Sequence, residues 1–76
     1  MKIAYVLINT ELGLEETVIK RLNEIQQVKE IHAVYGVYDI ITQVEATNTE
    51  ELKDLISSKI RRIEGIRSTL TMIVMD

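Results

Sequence analysis

The sequence predicts an α+β fold: one four-stranded antiparallel sheet with two helices on one of its faces, in the order βαββαβ. Three observations predict it. Apolar residues switch between strand spacing and helical spacing in that order along the chain. The connection between the second and third strands is too short for anything but a hairpin. The two halves also repeat: shifted by 38 residues, half of the 76, Val18, Leu22, Ile25 and Val28 fall on Ile56, Ile60, Ile63 and Ile66. Two strand–helix–strand units with right-handed crossovers close into this arrangement.

Residues 2–9 (KIAYVLIN) read as the first strand by length and β-branched content, and residues 10–13 break it. Residues 14–25 have helical spacing, with Leu14, Val18, Leu22 and Ile25 on one stripe. Glu15 and Glu16 open this helix and Lys20 and Arg21 follow, which suits the helix dipole. Residues 28–35 form the second strand, 36–38 a turn and 39–46 the third strand. Thr47-Asn48-Thr49 supplies the next N-cap, with either Asn48 and Glu51 or Thr47 and Glu50 at capping-box spacing. Leu52, Leu55, Ile56, Ile60 and Ile63 make the second helical stripe. Gly65 ends it in the left-handed conformation, behind Arg61 and Arg62. Residues 66–75 are the last strand.

A chain of 76 residues is one domain, 1–76, and no linker or low-complexity segment divides it. A core of this size supplies only about 3–5 kcal/mol, so a supplement is expected. There is no Cys, which excludes disulfides and thiolate metal sites, and the single His32 excludes a multi-His site within one chain. No Gly-rich loop with a Lys is present, and neither a metal nor a cofactor is expected. Oligomerisation is the remaining supplement. A net charge of −3 is a poor footprint for gripping phosphates, so direct DNA binding is not expected. No apolar run approaches a membrane span and no leader opens the chain, so a cytoplasmic protein is expected.

The strands are apolar on both faces. In the first, Ile3, Tyr5 and Leu7 point one way and Ala4, Val6 and Ile8 the other. Ile40 and Val44 oppose Ile41, and Leu70, Met72 and Val74 oppose Ile73 and Met75. Two helices cover one face only. The other carries more apolar surface than a soluble monomer normally shows, so a homodimer packed sheet on sheet across a two-fold axis is expected. Gln43 and Glu45 beside Ile41, and Thr69 and Thr71 beside Ile73, are expected to give that face a wet rim.

Tyr35-Gly36-Val37-Tyr38-Asp39 is the one polar and aromatic cluster with local chemical logic. Gly36 is free to take φ > 0, and such a turn leaves backbone amides that form an anion-binding nest. Asp39 attracts an ammonium. Together these are the two charges of an α-amino acid. The plainer alternative is an ordinary turn in which Asp39 bonds its own backbone. His32 is a strand or interface residue or else a base, but no carboxylate orienter and nucleophile can be named with it, so an enzyme is not expected. Glu15, Glu16, Glu50 and Glu51 read as first-turn residues. Lys59, Arg61 and Arg62 are a solvated face or an anion contact, and Met72 and Met75 are core or interface filler.

The hairpin Val34-Tyr35-Gly36-Val37-Tyr38-Asp39-Ile40 resembles the Gly-x-x-Asp signature of the RAM domain (regulation of amino acid metabolism). That is the C-terminal effector domain of Lrp/AsnC-type transcriptional regulators. Residues 65–74 (GIRSTLTMIV) are similar to the family's closing pattern of Gly, an apolar residue, spaced Thr and an apolar run. Residues 4–8, 28–34 and 52–63 also fit in position, so the resemblance covers nearly the whole chain.

The resemblance implies the ferredoxin-like βαββαβ fold, sheet-to-sheet dimers, and their assembly into octameric or decameric rings. It implies amino-acid effectors bound near the hairpin, at contacts between dimers. By the same resemblance Gly36 and the neighbouring amides, Val37 among them, hold the carboxylate and Asp39 the amino group. Tyr35 and Tyr38 shape the pocket, and Thr69 and Thr71 contribute from the last strand. Full-length members carry an N-terminal helix-turn-helix domain, whereas this chain begins at the first strand of the effector domain. The expectation is a stand-alone RAM module in the regulation of amino acid metabolism or transcription. It acts alone or by co-assembly with full-length regulators. The rivals are a small dimeric α/β-barrel enzyme of monooxygenase or isomerase type, a pure oligomerisation domain, and the amino-acid-binding ACT domain, which has the same strand order.

Overall fold

Alternate burial along Lys2–Thr10 makes this stretch β1, a central strand of the sheet. The computed structural model describes residues 1–75. After β1 come α1 (Glu15–Asn23), β2 (Val28–Ala33), β3 (Ile40–Ala46), α2 (Thr49–Leu55) with a π turn (Ile56–Ile60) continuing it, and β4 (Ile66–Ile73). The sheet order is β2-β3-β1-β4 and every pairing is antiparallel. This is the ferredoxin-like βαββαβ arrangement.

The core lies between the sheet and the helices. Ala4, Val6 and Ile8 of β1 and Ile40, Val44 and Ala46 of β3 pack with Val18 and Leu22 of α1 and with Leu52, Leu55, Ile56 and Ile60. The internal repeat is therefore a repeat of burial. Val18 and Leu22 are buried where Ile56 and Ile60 are, and Ile25 and Ile63 are half-buried together. Thr42 is the fully buried polar side chain of this layer; its hydroxyl donates to the Val6 carbonyl at 3.0 Å, and among the described residues no buried side-chain nitrogen or oxygen lacks a partner.

Besides a shorter last strand, which ends at Ile73 rather than Met75, and a first helix confined to Glu15–Asn23, local structure departs from the sequence reading in three places. First, the hairpin connection is longer: β2 stops at Ala33, and the Val34 N–H donates to the Asp39 carbonyl at 2.9 Å. The Asp39 N–H is drawn instead to the Ile8 carbonyl, 2.9 Å away on β1. Second, the second helix does not run on to Ile63. It passes into the π turn, where the Arg61 N–H donates to Ile56, five residues back, at 2.9 Å. Of the two capping options, Asn48 is the cap: its side chain accepts the Glu51 N–H at 2.8 Å, and Glu51 in turn accepts the Thr47 N–H at 3.3 Å.

Third, Thr69 and Thr71 do not rim the open face. Thr69 pairs with Ile8, Thr71 with Val6 and Ile73 with Ala4, all residues of the helix side. Alternation alone cannot say which side of a strand meets the helices; the register with β1 decides it. β4 is an edge strand, so Thr71 stays exposed even on that side. The open face instead carries Tyr5, Leu7, Ile41, Leu70 and Met72, flanked by Gln43 and Glu45 as expected.

Candidate functional site

The hairpin is held by backbone and carboxylate together. Beyond its two backbone bonds, Asp39 accepts from Thr10 twice through Oδ2: from the backbone N–H at 2.8 Å and from the hydroxyl at 3.3 Å. The plain alternative, Asp39 bonding its own turn, is not what forms. The β1–α1 loop is anchored beside it, with the Glu11 N–H donating to the Gly65 carbonyl at 2.7 Å. This juxtaposition follows from topology. The end of β1, the start of α1 and the β2–β3 hairpin all lie at one end of the sheet.

Two sets of groups are left over. Among the described residues, Oδ1 of Asp39 has no hydrogen-bond partner, and the amides of Tyr35, Gly36, Val37 and Tyr38 donate to no protein acceptor. Gly36 has φ 158°, a positive value that L-residues rarely adopt, yet one outside the left-handed helical region. That is not the left-handed conformation expected of the turn, and the unpaired amides follow one another along a bend of residues 35–39. Tyr35 and Val37 are exposed, and Tyr38 is half-buried.

A cleft of about 320 Å³ opens here, lined by Glu15, Ala33, Val34, Tyr35 and Asp39. Glu15 was not foreseen as a site residue. The signal was its place at the first turn of α1, which the topology returns to the hairpin end. Thr69 and Thr71 do not belong to this cluster, because β1 stands between β4 and β3. Thr71 lines a separate cleft with Lys53, Ile56, Ser57, Arg61 and Ile73.

His32 lies on the open face of β2, where Nε2 is 3.1 Å from Glu30 Oε1 and both side chains are exposed. Among the described residues, no group of three or more His, Cys, Asp or Glu is placed to hold a metal ion. No helix there is long and apolar enough to cross a membrane. The hairpin arrangement suits holding a zwitterion: an oriented carboxylate oxygen for an ammonium, and unpaired amides for a carboxylate.

Residues 3–76 match the family model described as "Lrp/AsnC ligand binding domain". An uncharacterised HTH-type transcriptional regulator of Pyrococcus furiosus is 37% identical over 73 residues, 92% of this chain and 49% of that protein. Homocitrate synthase of Saccharolobus solfataricus is 44% identical over 59 residues, 78% of this chain but 13% of the enzyme. The chain thus spans about half of the regulator and a small part of the enzyme. The crystal structure of FFRP-DM1 superposes with a TM-score of 0.95 at 39% identity, covering 99% of this chain and 100% of that one.

Proposed function

The chain belongs to the Lrp/AsnC ligand binding domain family, and from that premise we propose that it is a non-enzymatic module that binds a free α-amino acid at the β2–β3 hairpin. The free Oδ1 of Asp39 takes the ammonium, and the amides of Gly36, Val37 and Tyr38 take the carboxylate. Tyr35, Tyr38 and Val34 bound the space for the side chain. The observation that carries this reading is the pinning of Asp39 by Thr10 through one oxygen, which leaves the other unpaired at the end of a connection whose amides are unpaired too.

The module works as an oligomer in this reading. The open face packs on the same face of a second copy, burying Tyr5, Leu70 and Met72, which a lone chain leaves 39%, 45% and 49% exposed. Dimers then join into rings through the hairpin ends, where Leu12, Tyr35 and Val37 stand exposed. Thr69 and Thr71 reach an effector only from a neighbouring copy. Regulators that carry the same domain are the natural co-assembly partners. An enzymatic reading finds no support at His32, whose hydrogen-bond partner is the exposed Glu30.

A second reading has its own observation: a segment of an enzyme is 44% identical to this chain. On that reading the module confers effector sensitivity on an enzyme to which it is joined or docked.

The test is calorimetry and light scattering of the purified protein with each of the twenty amino acids. Saturable heat from at least one, lost in Asp39→Asn, is expected. Indifference to all twenty at millimolar concentration sinks the proposal and leaves an assembly role.

A further inference from the structure

We propose that the cleft between the π turn and β4 is a second binding site, separate from the hairpin, for a small aliphatic carboxylate that lacks an ammonium group. The cleft measures about 400 Å³, within the size range of small-ligand pockets. Its lining is Lys53, Ile56, Ser57, Arg61, Thr71 and Ile73.

The charge is one-sided. Two cations and no carboxylate line the cleft, on a chain whose net charge is −3. Among the described residues neither Lys53 nor Arg61 is in an ion pair. The hairpin cleft is the reverse, with Glu15 and Asp39 and no cation. An ammonium is attracted to one and repelled by the other. A ligand that carries an ammonium therefore suits the hairpin, and a carboxylate without one, such as a 2-oxo acid, suits the π-turn cleft.

The remaining groups divide between head and tail of such a ligand. Ile56, 5% exposed, and the half-buried Ile73 form an apolar floor for the tail. The Thr71 hydroxyl has no partner among the described residues. The Val74 N–H donates to Ile3 on β1 at 2.9 Å, and antiparallel alternation then turns the amides of Thr71 and Ile73 outward at the sheet edge. These donors, with Lys53 and Arg61, face the carboxylate end.

The wall itself is irregular. The π turn interrupts the helix at the cleft, with Ile56 accepting from Arg61, the residue that supplies one of the two cations. Such turns are rare and recur beside functional sites.

The test titrates the protein with α-ketoisocaproate while amide NMR shifts are followed, with leucine and the neutral methyl isobutyl ketone as comparators. Expected is saturable movement of the Ser57, Thr71 and Ile73 amides with the oxo acid and not with the ketone. Affinity falls about tenfold or more in the Lys53→Gln/Arg61→Gln double variant, as expected for loss of charge-assisted hydrogen bonds, and stays unchanged in Asp39→Asn. Both substituted side chains are exposed, so the fold survives the change. The inference is overturned if no saturation occurs, if the double variant binds as wild type does, or if the shifts fall at residues 35–39 instead.

Discussion

Thr10 gives both its backbone N–H and its hydroxyl to one oxygen of Asp39, at 2.8 and 3.3 Å, and so ties the end of β1 to the entry of β3. The bond spans 29 residues of sequence and fixes the one carboxylate of the connection between β2 and β3, residues 34–39. Asp39→Asn keeps an acceptor for Thr10 and loses the charge. It should unfold in urea within about 1 kcal/mol of wild type while amino-acid affinity drops tenfold or more. Asp39→Ala leaves the Thr10 amide unpaired and should lose about 1–3 kcal/mol as well as binding. Urea unfolding and calorimetry on both variants separate the two roles.

Gly65 is required by its conformation and by its neighbours. Its φ is 104°, and a Cβ there would stand 3.0 Å from Val18 Cγ2 and 3.2 Å from Leu14 Cβ. Left-handed backbone costs an L-residue about 1–2 kcal/mol, and the crowding adds to it. Gly65→Ala should therefore lose about 2–3 kcal/mol, with the Glu11 anchor to the Gly65 carbonyl loosened. Denaturant unfolding gives the loss; a variant as stable as wild type would mean the loop readily shifts.

The fold was legible because its determinants are periodic. The stripes through Val18 and Leu22 and through Ile56 and Ile60 mark the helix faces that the structure buries. The hairpin cluster was also legible, since Tyr35 to Asp39 are contiguous. What sequence spacing did not reveal depends on register and on returns of the chain. The side on which Thr69 and Thr71 lie is set by pairing with Ile8 and Val6, sixty or so residues away. Glu15 joins the hairpin cleft only through the topology. The partner of Asp39 was missed because Thr10 sits in a stretch that reads as a strand break, yet continues β1 by one residue. The π turn has no compositional marker in Ile56-Ser57-Ser58-Lys59-Ile60.

The open face makes a sharp prediction about assembly. Leu70 pairs with Leu7, and Met72 with Tyr5, so both lie over the apolar middle of the uncovered face. A charge placed there finds no partner in a sheet-to-sheet dimer and must be desolvated or expel the partner. Leu70→Lys should sediment as a monomer at micromolar concentration, where wild type should sediment as a dimer or larger. The β1–β4 pairing itself involves the backbone, so far-ultraviolet circular dichroism should show the strands intact. A Leu70→Lys protein with wild-type mass would place the dimer contact elsewhere.

Stability and association should also be coupled, which Ile8→Ala tests. Ile8 is fully buried in the core, and truncating such a side chain costs about 2–5 kcal/mol. A core of this size supplies about 3–5 kcal/mol by itself, so the truncated monomer stands near its folding threshold. Association binds only the folded form and restores the deficit by mass action. The Ile8→Ala protein should therefore fold, but with a melting temperature that climbs steeply with protein concentration. Combined with Leu70→Lys it should be unfolded at room temperature. Melting curves over a hundredfold concentration range measure the coupling. A concentration-independent melt of Ile8→Ala would show that the chain is stable without its partner.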